Sequence, residues 1–162
     1  MEQFTREHLL AILRITIGLL FLWPFFDKLF GFGFATPHGS GVIDGGSPSS
    51  FVVYVTDGLL KDFYISLAGN AFIDFMMMAA LLLIGISLVF GIASKLGTIG
   101  CVLFMIVMYT LVLPPSDNPV LDDHIIMILA MLVVYFFGGF EKLSFFKKWK
   151  DFLLVKKFPI LE

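Results

Sequence analysis

Residues able to hold or move a proton fall at matching ends of four apolar runs in this chain. Asp27 and Lys28 close the first run, Asp74 opens the second, Tyr109 nears the end of the third, and Asp122, Asp123 and His124 open the fourth. Ionisable side chains at membrane depth are costly, so each is a functional candidate by default. Lys28 paired with Asp123 or Asp27, beside His124, would form a pocket at the membrane edge that exchanges protons. A quinone headgroup needs such a pocket: hydrogen-bond partners for its carbonyls, titratable groups for its protons and apolar walls for its tail. On this reasoning Lys28, Asp123 and His124 are the candidate catalytic residues. Asp27, Asp74, Tyr109, Asp122 and Trp23 are the candidate substrate- or quinone-binding residues.

Each residue also has a plainer role available. Asp122 and Asp123 in a first turn favour the positive end of a helix dipole, Lys28 can snorkel outward, Asp74 can help start a helix, and His124 can be a hydrogen-bonded bundle histidine. Arg14 stands apart, about 20 Å from Lys28 at the α-helical rise, and is expected to snorkel inward or to pair with Glu141. Met76, Met77 and Met78 are consecutive and face different directions, which suits adaptable packing better than metal binding. Cys101 is the only cysteine and lies in an apolar run. The sequence carries no nucleotide loop, haem-attachment motif or CxxC, and no metal or tightly bound cofactor is expected. Any redox cofactor is then a diffusing quinone or belongs to a partner.

The elements that must position these residues are membrane helices. The chain has 162 residues, 59% hydrophobic and only 15% charged, with 20 Phe and a mean hydropathy of +0.96. A soluble domain of this size needs far more polar surface. A span takes roughly 20 apolar residues, which predicts spans over 9–29, 72–92, 96–113 and 120–137. Asn70 is the expected N-cap of the second span, and Asn118-Pro119 the N-cap and first residue of the fourth. Pro114-Pro115 stops the third, and Gly138-Gly139 ends the fourth. Gly85, Gly91, Gly97 and Gly100 suggest close helix contact. The first run lacks a small-residue cleavage site and reads as a retained helix rather than a signal peptide.

Short connections imply an antiparallel up-down bundle. Arg6, Lys95 and the lysines of the tail lie at one end, while Asp44, Asp57, Asp62, Asp117, Asp122 and Asp123 lie at the other against Lys28 and Lys61. The positive-inside rule then puts both termini in the cytoplasm. The predicted fold class is therefore an all-α integral membrane protein, an antiparallel up-down four-helix transmembrane bundle. Residues 1–140 form the transmembrane domain, including an outer loop over 31–69 whose second half, Phe51 to Leu67, reads as a short interfacial helix. Residues 141–162 form a basic amphipathic cytoplasmic tail, with Phe145, Phe146, Trp149, Phe152 and Leu153 on one helical face and lysines on the other.

Several stretches resemble the DoxD/DoxX family, most closely the DoxD subunit of thiosulfate:quinone oxidoreductase. They are LRITIGLLFLWPFFDKLFGFGFATP (Leu13 to Pro37), IDGGSPSS (Ile43 to Ser50), LAGN followed by Asp74, and LPPSDNPVLDDHIIM (Leu113 to Met127). The resemblance reaches up to Gly139 and leaves the basic tail unmatched. It implies a four-helix membrane protein that couples the joining of two thiosulfate ions into tetrathionate to reduction of a quinone. It also implies a second, DoxA-like subunit. No residue assignments come with it.

The expected function is a quinone-interacting membrane subunit of an oxidoreductase in the plasma membrane, with quinone as diffusing co-substrate. The alternative is a non-catalytic scaffold or anchor for a redox partner protein. Expected partners are the bilayer, quinone, a DoxA-like subunit and further copies of the chain, with no nucleic acid. A small carrier is disfavoured, because there is no internal repeat, broken helix or midplane charge pair. Against thiosulfate stands the acidity of the outer loops, whose cations are Lys28, Lys61 and, when protonated, His38 and His124. An acidic surface repels a dianion, so the resemblance predicts either cationic groups from a partner or a different reductant.

Overall fold

The computed structural model describes residues 6–116 and 118–161; Asp117 of the expected acidic end and Glu162 of the tail lie outside them. Eight α-helices follow in order: α1 (Arg6–Phe30), α2 (Val52–Val55), α3 (Lys61–Leu67), α4 (Ala71–Phe90), α5 (Ser94–Leu111), α6 (Asp123–Phe136), α7 (Phe146–Lys150) and α8 (Leu153–Lys157). Among the described residues there is no strand. Helices α1, α4 and α5 are long and apolar enough to cross a membrane.

α1 and α5 each pack against both α4 and α6, so the four longest helices close a ring. Neighbours run antiparallel: Gly97 and Gly100 of early α5 meet Ser87 and Ile84 of late α4, and Tyr109 of late α5 reaches Val120, ahead of α6. Ile17, Phe21, Leu88, Met131 and Val134 fill the centre. Lipid tails are as apolar as leucine, so helices associate here through close packing rather than through escape from water. The glycines make that approach close. A Cβ on Gly85 would meet Leu22 at 2.6 Å, and one on Gly97 would collide with the Ser87 hydroxyl.

Helix ends follow local chemistry. The Asn70 carboxamide accepts from the backbone N–H of Phe72 (2.9 Å) and Ile73 (3.4 Å), capping α4 as the sequence predicts. Gly91, at φ 65°, ends α4 in the left-handed conformation that glycine adopts without strain. The fourth helix differs from expectation. Asn118 accepts from Val120 and Leu121 without starting a helix. Asp122 is the cap instead, taking the N–H groups of His124 and Ile125. The 14 residues of α6 reach about 21 Å at 1.5 Å per residue, short of the roughly 30 Å hydrocarbon core.

The outer loop and tail are also more broken than predicted. The turn-rich half of the loop carries 3₁₀ turns at Val42–Asp44 and Pro48–Phe51, and the interfacial half is two helices, α2 and α3, not one. The tail is likewise two short helices and a closing 3₁₀ turn at Pro159–Leu161. Tight bonds from Asp151 N to Lys148 O and from Phe152 N to Trp149 O break it, and the Trp149 indole N–H donates to Leu161 O (2.6 Å), folding the tail into a hairpin. Phe146 and Trp149 consequently turn inward, while Phe145, Phe152 and Leu153 remain exposed.

Candidate functional site

Two carboxylates at adjacent helix ends anchor the outer loop as a lid. Asp27, 1% exposed near the end of α1, accepts from Thr36 N (2.8 Å) with one oxygen and from Phe34 N (3.3 Å) with the other. Asp74, in the first turn of α4, accepts from Ser49 N (2.7 Å) and the Ser47 hydroxyl (2.9 Å), both on a single oxygen. The buried Ser49 hydroxyl in turn accepts from Gly69 N (2.9 Å). At Gly33, with φ 89°, a Cβ would run into the His38 ring, whose Nδ1 lies 3.1 Å from Gly31 O. Asp27 and Asp74 therefore both sit at the lid end of the bundle, and both have their hydrogen-bonding capacity directed into the lid.

Lys28 is buried to 7% exposure. Its Nζ lies 4.7 Å from the centre of the Phe51 ring, a cation–π contact that offsets part of its desolvation. Lys28 also lines a small cavity of about 70 Å³ under the lid, with Thr36, Ser40, Ser47, Ser50 and Tyr54. Phe51 lines this cavity and also a much larger one. The larger cavity, about 800 Å³, is an almost wholly apolar groove along α4 and α5. It runs from Ser49, Phe51 and Tyr64 beneath the lid to Trp149 of the tail at the opposite end. Tyr64 lines it at the lid end, and its hydroxyl bonds the Thr110 hydroxyl at 2.5 Å.

The α6 residues form a separate group. His124 Nδ1 lies 2.6 Å from the Asp122 carboxylate, a contact that is ionic when the imidazole is protonated. Asp122 precedes the helix. Its carboxylate also accepts from the backbone N–H groups of His124 (3.0 Å) and Ile125 (3.3 Å). Asp123 is exposed. The Tyr109 hydroxyl donates to Val120 O (2.8 Å), and Trp23 packs on Phe32 and Phe34 of the lid.

The candidates thus fall into a lid group (Trp23, Asp27, Lys28, Asp74) and an α6 group (Tyr109, Asp122, Asp123, His124). Among the described residues no hydrogen bond or ion pair joins Lys28 to Asp123 or His124, and neither of those two lines either cavity. Sequence reasoning missed Phe51, Tyr64, Thr110 and the lid hydroxyls. Only the serine-rich GGSPSS stretch hinted at them.

Arg14 neither snorkels nor pairs with Glu141. It is fully buried, donates from Nη2 to Leu143 O at 2.6 Å, and sits 5.2 Å from the Phe140 ring centre. Its Nε and Nη1 make no hydrogen bond among the described residues. The close packing of Gly91, whose Cβ would lie 2.5 Å from Nη1, closes the route outward. Cys101 is buried as well. Among the described residues no three His, Cys, Asp or Glu side chains converge as a metal site. No family model, curated protein or solved structure matches the chain.

Proposed function

We propose that this chain is a multi-pass plasma-membrane protein with both termini cytoplasmic, acting as the quinone-interacting subunit of an oxidoreductase. The observation that carries the proposal is the apolar groove, which ends at the wall that Lys28 stacks against. An isoprenoid tail needs a long apolar channel open to lipid, and a headgroup needs polar partners at one end of it. Tyr64 and Ser49 line that end. The cavity under the lid, with a buried ammonium and several hydroxyls, suits a small anion. Phe51 stands between the two.

On the DoxD-like reading, two thiosulfate ions join as tetrathionate and release two electrons. A quinone takes these with two protons and leaves as quinol, with a DoxA-like subunit contributing to the reaction. In this scheme Lys28 is the residue that touches substrate, and Asp27 and Asp74 hold the lid. The Asp122–His124 pair exchanges protons at the membrane edge, beside Asp123. The fourth span is α6, lengthened by the apolar Val120 and Leu121 ahead of it.

The test is thiosulfate-dependent quinone reduction by the reconstituted full chain, alone and with candidate partners. Lys28→Ala is expected to abolish it. Gly100→Phe, which fills the groove, is expected to raise KM for quinone. Asp123→Asn and His124→Ala are expected to slow proton uptake. Unaltered rates in every variant would sink the site, and no activity with any partner would sink the function.

A second reading, a non-catalytic scaffold for a redox partner, is favoured by one observation. Asp27 and Asp74 are occupied with lid bonds, and the α6 residues stand apart from both cavities. It predicts that no quinone is found when the lipids of the purified protein are extracted.

A further inference from the structure

The tail hairpin is the most strongly charged surface of the molecule outside the lid end. Lys147, Lys148, Lys150, Lys156 and Lys157 are all exposed on it. Lys156 pairs with Asp151 at 3.2 Å, whereas Lys147 makes no ion pair among the described residues. Lys148 and Lys157 rest over the Phe145 and Phe158 rings, 6.0 and 5.7 Å from their centres. Interleaved with these cations are large exposed apolar side chains: Leu153 at 85%, Leu154 at 66% and Phe152 at 61%.

The hairpin is held firmly. Val155 is buried, the Trp149–Leu161 bond closes the loop, and the Pro159–Leu161 turn packs on α5. Phe145 N bonds Phe90 O at 2.9 Å, tying the hairpin to the end of α4 opposite the lid. A rigid platform that carries lysines and protruding apolar side chains together, at one end of a set of membrane-length helices, matches the boundary between headgroups and acyl chains. A soluble partner would match the charge but not the exposed leucines and phenylalanine at that depth.

We propose that the tail hairpin docks on an anionic phospholipid leaflet, its lysines binding headgroup phosphates while Phe152, Leu153 and Leu154 insert among the acyl chains. This is independent of whether the groove binds quinone. Trp149, at the inner end of the groove, supplies the reporter.

The experiment is energy transfer from Trp149 in the full-length Trp23→Phe protein, reconstituted in phosphatidylcholine vesicles that carry dansyl-phosphatidylglycerol or dansyl-phosphatidylcholine. Local enrichment of the anionic lipid is expected to exceed that of the zwitterionic one by several-fold, at about fivefold per engaged lysine, and to collapse in high salt. The K147Q/K148Q/K157Q variant is expected to lose the preference, and K147R/K148R/K157R to keep it. Equal transfer to both lipids, or a preference indifferent to salt, would overturn the proposal and leave the lysines to a soluble acidic partner.

Discussion

Asp27 and Asp74 look equivalent in the sequence, yet their geometry predicts opposite tolerance to the same substitution. Asp74 receives both lid donors on one oxygen. An asparagine can present its single carbonyl oxygen there, losing charge assistance but neither bond. Asp27 uses both oxygens, one for each backbone N–H. An asparagine there must turn its NH2 group toward one of those donors, leaving that partly buried N–H without its partner. A hydrogen bond to a charged group contributes about 1.5–3 kcal/mol, and an unsatisfied buried donor costs about 1–3 kcal/mol. Asp74→Asn should therefore cost the lid about 1 kcal/mol and Asp27→Asn about 2–3 kcal/mol, while Asp74→Ala, losing both bonds, should cost about 3 kcal/mol.

The assay is hydrogen–deuterium exchange of the lid peptides over 33–50, in lipid discs, by mass spectrometry. Local opening sets those rates. At 1.4 kcal/mol per tenfold, Asp74→Asn should speed lid exchange about fivefold, Asp27→Asn about 30- to 140-fold and Asp74→Ala about 140-fold. Equal acceleration in the two asparagine variants would refute the assignment of bonds to individual oxygens.

Arg14→Met replaces a buried guanidinium, two of whose nitrogens have no hydrogen-bond partner among the described residues, by an apolar side chain of similar length. Thermal unfolding in detergent should show no loss of stability, because the desolvation cost removed offsets the lost Leu143 bond. Gly97→Ala should push Ser87 off its bonds to the Ile92 and Ala93 carbonyls. It should lower the stability of the α4–α5 contact by about 1–3 kcal/mol, read as a reduced melting temperature. Asp122→Ala should cost about 1 kcal/mol through the lost cap, seen as faster amide exchange in the first turn of α6.

Much of the architecture is legible in one dimension, because membrane helices are specified by local composition. Each must satisfy its own backbone inside lipid, so length and hydropathy alone identify α1, α4 and α5. The Asn70 cap is equally local, since an N-cap needs only its own first turn; the Gly91 terminus was read only as a helix contact, inside a span carried to 92. The start of α6 was not legible, because Asn118-Pro119 and Asp122 both carry valid cap chemistry and only the competition between them places the helix. The tail's break at Asp151 is also invisible to helical periodicity, since it depends on Trp149 reaching Leu161.

The candidate site divides in the same way. The sequence by itself put Asp27, Lys28, Asp74, Tyr109 and the Asp-Asp-His run at corresponding helix ends, because depth along a helix is a matter of counting residues. Which of them meet depends on the angular position of each helix in the ring and on where a lid of some 40 residues lays its donors. Only the tertiary structure assigned Asp27 and Asp74 to the lid, turned Lys28 onto Phe51, kept His124 with Asp122, and opened the groove between α4 and α5. Helix ends share a level by arithmetic; side chains share a pocket only through packing.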